Sequence, residues 1–134
     1  MAENRKNATM PRPTDAELAI LSVLWDRGPS TVREVHDALQ ASQGSGYTTV
    51  LKLLQIMTDK GLVVRDESQR AHVYSPRASE QRTQRQLLGD LAERAFGGSS
   101  AKLVLQALSD RRATHQELRD IRALLDQLEE REPK

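Results

Sequence analysis

Three Thr-x-x-Glu tetrads constrain this chain more than any other feature: Thr14 to Glu17, Thr31 to Glu34 and Thr114 to Glu117. In such a tetrad the threonine hydroxyl and the glutamate carboxylate each accept a backbone N–H of the other residue, so each one marks a helix start. The first opens a helix with Leu18, Leu21, Leu24 and Trp25 on one face, ended by Asp26-Arg27-Gly28-Pro29. The second opens a short helix through Val32, Val35 and Leu39. After the flexible turn Ser42-Gln43-Gly44-Ser45-Gly46, the spacing predicts a third helix from Tyr47 to Lys60, closed by Gly61.

From Leu62 to Pro76 the chain turns to β-branched and aromatic residues, Val63, Val64, Val73 and Tyr74, around the polar run Asp66 to Arg70. That pattern predicts a β-hairpin, and without Asn-Gly its loop should span several residues. Helical periodicity resumes beyond Ser79 with Leu87, Leu88, Leu91, Ala95 and Phe96, then breaks at Gly97-Gly98. Ser99 caps a short helix holding Leu103, Val104, Leu105 and Leu108. The third tetrad starts a last helix whose Leu118, Ile121, Leu124, Leu125 and Leu128 fall within an arc of about 120°. The expected fold is mainly α with a small β-hairpin wing. Residues 1–13 form a disordered basic tail holding Arg5, Lys6 and Arg12, residues 14–78 a winged helix-turn-helix head, and residues 79–134 a helical dimerisation segment.

Composition excludes several alternatives. There are no cysteines, which removes disulfides, thiolate metal sites and cysteine nucleophiles, and fits a reducing, cytoplasmic location. No run approaches a membrane span or the apolar core of a signal peptide, so the reading is of a soluble, unexported chain with no membrane partner. Aromatic residues are only 3% of the chain, which disfavours a large core with a deep ligand pocket. His36, His72 and His115 sit in three different elements, and neither a Gly-x-Ser-x-Gly setting nor a phosphate-binding glycine loop is present. An enzyme is therefore not expected, and neither a metal nor a cofactor is called for.

The third helix has two opposed faces. Val50, Leu53, Leu54 and Met57 share one side; Thr48, Lys52 and Gln55 share the other, flanked at the amino end by Tyr47 and Thr49. These are side chains suited to double-stranded DNA: threonine offers a hydroxyl to phosphate and a methyl to thymine, lysine donates to guanine or phosphate, and glutamine pairs with adenine. The net charge is only +1, so phosphate attraction must be local, with Arg33, Arg65 and Arg70 as its candidates.

Several segments, in this order, resemble the penicillinase-repressor and methicillin-repressor family, the BlaI/MecI/CopY family. They are Pro13 to Leu18 with Val23-Leu24-Trp25, Tyr47-Thr48-Thr49-Val50-Leu51, Lys60-Gly61-Leu62-Val63, and Arg70-Ala71-His72-Val73-Tyr74. The resemblance spans about Pro13 to Leu128. It implies a homodimeric repressor on a palindromic operator, with winged heads on DNA and intertwined carboxyl helices. In that family the start of the third helix reads the major groove, which here carries over to Tyr47, Thr48, Thr49 and Lys52. Derepression there follows cleavage of the carboxyl segment after an antibiotic signal, or copper binding through cysteines that this chain lacks. Leu103 to Ala107 resembles the cleaved region, although Gln106-Ala107 departs from the usual residues at the cut; a sensor protease is the partner this route implies.

The carboxyl half also points to self-association, because its apolar stripes are too sparse in partners to be buried within one chain. Leu91, Phe96, Leu118, Ile121, Leu125 and Leu128 are the expected dimer contacts. A two-fold pair would set its heads on half-sites about 34 Å apart, or a multiple of that. Two other readings of a winged helix stay open: a ligand-sensing regulator of the MarR type, and a protein-binding module, which would favour a more apolar third helix than this one.

Overall fold

The computed structural model describes residues 11–41 and 45–131. Most of the expected basic tail, the Ser42-Gln43-Gly44 part of the turn and residues 132–134 lie outside the described residues.

All three capping boxes form. Thr14 caps α1 (Asp15–Arg27), accepting from the Glu17 N–H at 3.2 Å while its own N–H donates to Glu17 Oε1 at 2.9 Å. Thr31 and Glu34 do the same for α2 (Val32–Gln40). An N-cap residue takes extended backbone angles, and here that geometry has a second use: Ser30 and Thr31 form a short strand, β1, that the sequence reading did not anticipate. Two residues carry no periodicity, so only the pairing partner reveals them.

Third in the helical series, α3 (Tyr47–Lys60) ends at Gly61, whose φ of 86° suits a residue without Cβ. The Leu62 N–H donates to Met57 O at 2.9 Å, closing the last turn and sending the chain directly into the hairpin. Its strands are β2 (Val63–Asp66) and β3 (Val73–Pro76), antiparallel, with Arg65 opposite Tyr74 and Asp66 opposite Val73. β1 pairs with the other edge of β3, placing Ser30 beside Tyr74, so the sheet order is β1-β3-β2. The loop between the strands is long, as expected, and opens with Asp66 Oδ1 accepting the Ser68 N–H at 2.9 Å. That contact holds the Asp66 carboxyl below its ordinary range.

The head's core takes Ile20, Leu21 and Leu24 from α1, Val32, Val35 and Leu39 from α2, Val50, Leu54 and Met57 from α3, and Leu62, Val63 and Tyr74 from the wing. One detail of α1 corrects the sequence reading: the innermost residues are Glu17, Ile20, Leu21 and Leu24, and Leu18 is only half-buried. The buried row follows the 17, 20, 21, 24 spacing, and Glu17 at its start meets a partner on α3. Trp25, at the margin of the core, donates its indole N–H to Ala78 O at 3.0 Å.

Beyond the wing run α4 (Glu80–Ala95), α5 (Ser100–Asp110) and α6 (His115–Arg131), the last two capped by Ser99 and by the Thr114–Glu117 box. The chain packs as two compact units that divide between Leu88 and Gly89, inside α4. In the second unit neither α5 nor α6 buries a residue. Among the described residues no helix is long and apolar enough to cross a membrane. The architecture is that of a winged helix-turn-helix head followed by a helical segment.

Candidate nucleic-acid interface

Packing of one side of α3 decides what the other side offers. Val50, Leu54 and Met57 are fully buried, Leu53 is half-buried, and Thr48, Thr49, Lys52 and Gln55 are exposed along the opposite face, with Tyr47 43% exposed at its start. The two faces read from the sequence are therefore the two faces of the folded helix. Ile56 shares the exposed side at 40% exposure, and the sequence reading passed over it. Its place on the helical wheel, between Lys52 and Thr49, was available as a signal; an isoleucine there is out of phase with the core and suited to a thymine methyl.

The carboxyl end of α3 is clamped to α1. Lys60 Nζ donates to both Glu17 oxygens at 2.9 Å, and the Thr14 N–H donates to one of them. Glu17 is only 2% exposed. Burial pushes its carboxyl up, but the Thr14 backbone N–H, the Lys60 ammonium and the Thr14 hydroxyl together outweigh that and hold it below its ordinary value of 4.5. A capping glutamate thus also fixes the far end of the helix that carries the polar face. The sequence reading identified Glu17 only as a cap, because its partner lies 43 residues away.

Of the three phosphate candidates, two are placed together. Arg33 and Arg70 line a cleft of about 410 Å³ with Tyr47 and Leu51 of α3 and with Ala71, His72 and Tyr74 of the wing. His72, one of the three histidines in separate elements, is exposed and lines this cleft. Arg65 stands elsewhere on β2, half-buried. Its guanidinium interacts with the Tyr74 side chain across the hairpin, and its Nε donates to Glu67 Oε2 at 2.7 Å, contacts that raise its already high pKa. Those contacts tie Arg65 into the wing.

In the second unit Leu91, Leu125 and Leu128 are exposed, and Phe96, Leu118 and Ile121 are half-buried. Val104, Leu105, Leu108 and Leu124 add further exposed apolar surface, Leu105 reaching 67%. Gln106 and Ala107 are exposed but lie inside α5, where the Gln106 amide donates to Asp110 Oδ2 at 2.9 Å. Among the described residues no group of three or more His, Cys, Asp or Glu side chains is arranged to hold a metal.

Comparison with known proteins adds a family to this geometry. The chain is 44% identical over 70 residues to the transcriptional regulator BlaI of two strains of Mycobacterium tuberculosis, CDC 1551 / Oshkosh and ATCC 25618 / H37Rv. Those residues make up 52% of this chain and 51% of the relative, so the match spans about half the length of the curated relatives. Among solved structures, the DNA binding domain of the repressor BlaI matches with a TM-score of 0.49 at 26% identity, over 54% of this chain and 88% of that one. The monomeric form of Bacillus licheniformis BlaI in complex with the blaP half-operator matches with a TM-score of 0.48 at 26% identity, over 55% and 89%. The family model for the penicillinase repressor matches residues 13–127, which take in the head, the wing and most of α6, and the chain belongs to that family of repressors, regulators and not enzymes.

Proposed function

We propose that this chain is a homodimeric transcriptional repressor that acts in the cytoplasm and binds a palindromic operator through α3 and the wing. The observation that carries the reading is the two-sided α3: its apolar side is locked in the head by Val50, Leu54 and Met57, and its exposed side presents Thr48, Thr49, Lys52 and Gln55. Base edges are read by such side chains, and the arginine-lined cleft beside them suits the phosphate backbone that positions the helix. Membership of a repressor family supports the same reading.

Residues 14–78 serve as the head and residues 79–134 as the dimerisation segment. The exposed leucines of α5 and α6 support a second copy as their cover, because large apolar side chains gathered on exposed helices mark an interaction surface. Tethering two weak heads raises the effective concentration of each for its half-site, so a signal that acts on the carboxyl segment releases both. Cleavage at Gln106–Ala107 by a sensor protease is one such signal; a protease reads extended chain, so α5 must first unwind there. Selection of bound sequences from random duplexes by the purified chain, at two salt concentrations, tests the proposal. A palindrome whose affinity falls steeply with salt is the expected result. A monomer with no preference over random competitor at low salt would overturn it.

A further inference from the structure

Tyr47 is the first residue of α3, and side chains on a helix lean toward its amino end, so this ring has no preceding turn of its own helix to rest on. Support comes from α2. The Arg33 guanidinium carbon lies 5.6 Å from the ring centroid, within cation–π range. The His36 ring meets the same tyrosine edge to face, with centroids 5.8 Å apart and planes at 65°. Arg33 and His36 stand one turn apart on α2, and Asp37 Oδ1 sits 3.3 Å from His36 Nδ1. The histidine side chain is only 17% exposed, so it is a fixed wall, whereas Tyr47 keeps nearly half its surface open.

We propose that Arg33 and His36 are positioning residues for operator recognition: they hold the Tyr47 ring so that its hydroxyl meets the duplex beside Thr48 and Thr49, and Arg33 acts through that ring. The inference rests on the DNA-binding reading above. A tyrosine that must be ordered on arrival of DNA loses affinity to the entropy of that ordering, and a ring already packed by α2 avoids much of the loss. Arg33 therefore differs in role from Arg70, which stands on the wing side of the same cleft and suits a direct phosphate contact.

The test is equilibrium binding of the full chain to the duplex that the wild-type protein enriches from a random pool, measured across a salt series. Arg33→Met and His36→Ala should each weaken binding roughly three- to fivefold, the size of one such ring contact. Neither should change the slope of log affinity against log salt, and both effects should shrink in a Tyr47→Ala background. His36→Phe, which keeps the edge-to-face contact, should restore binding. The Tyr47 ring proton shifts, readily assigned because the chain has 2 tyrosines, should move in His36→Ala and return in His36→Phe. Wild-type binding by both weakened variants would overturn the inference. So would an Arg33→Met variant that lowers the salt slope by about one and whose loss adds fully to that of Tyr47→Ala, the mark of a direct phosphate contact. If the wild type enriches no duplex, the DNA-binding reading itself falls, and this inference with it; if it does, a failure here belongs to the positioning role alone.

Discussion

Replacing Lys60 with methionine removes the ammonium that faces a buried carboxylate while keeping most of the side chain's volume. In the native head Glu17 accepts from Lys60 at both oxygens and from the Thr14 N–H at one. Lys60→Met leaves the carboxylate, 2% exposed, with the Thr14 contacts alone. Breaking a fully buried pair costs about 3–5 kcal/mol, and because the Lys60 side chain is 34% exposed the expected loss here is smaller, about 2 kcal/mol. Glu17→Gln keeps an amide oxygen for the Thr14 N–H and removes the charge, so about 1 kcal/mol is expected. Urea unfolding followed by the fluorescence of Trp25, the chain's one tryptophan, reads the head directly.

The dependence on pH carries the sharper test. The Glu17 carboxyl is lowered in the folded state, so the stability it contributes is fully present above its unfolded value of 4.5 and is lost as pH falls through the lower folded value. Glu17→Gln has no such titration, so its deficit against wild type should close in that acid range. Lys60→Met should show the same closing from the other side, because protonation relieves its unpaired carboxylate. A Lys60→Met variant within about 0.5 kcal/mol of wild type, the usual scale of a surface change, would refute the clamp. A deficit that stays constant through the acid range would do the same.

Two further perturbations separate the parts of the proposal. Ile121→Lys or Leu125→Lys puts a charge on the apolar row of α6 and should weaken dimerisation and operator binding together; lost DNA binding with unchanged sedimentation would refute their coupling. On α3, Gln55→Ala should relax preference at one base position at a cost of about 1–3 kcal/mol. Lys52→Ala, read by the same titrations, should weaken all sequences alike and lower the salt slope by about one if its contact is a phosphate.

Much of the head was legible because its signals are local. A threonine and a glutamate three residues apart carry their own hydrogen bonds, and all three boxes formed as expected. The faces of α3 followed from helical period alone, since Val50, Leu54 and Met57 recur on one side. What escaped notice depends on residues distant in sequence. β1 exists only because β3 returns beside Ser30 and Thr31; buried Glu17 finds its counter-charge in Lys60, on another helix; His36 and Arg33 meet Tyr47 only where α2 passes it. Ile56 is a different case, a position on the wheel that could have been read and was not.

By itself, then, the amino-acid order determined where the capped helices begin and which two faces α3 presents, because capping and periodicity act over a few residues. Only the tertiary structure decided which groups meet: the Glu17–Lys60 clamp, the Arg33–Tyr47–His36 cluster and the union of Arg33 with Arg70 in one cleft. Those meetings depend on how helices cross and on where the wing folds back, geometry that no local pattern encodes.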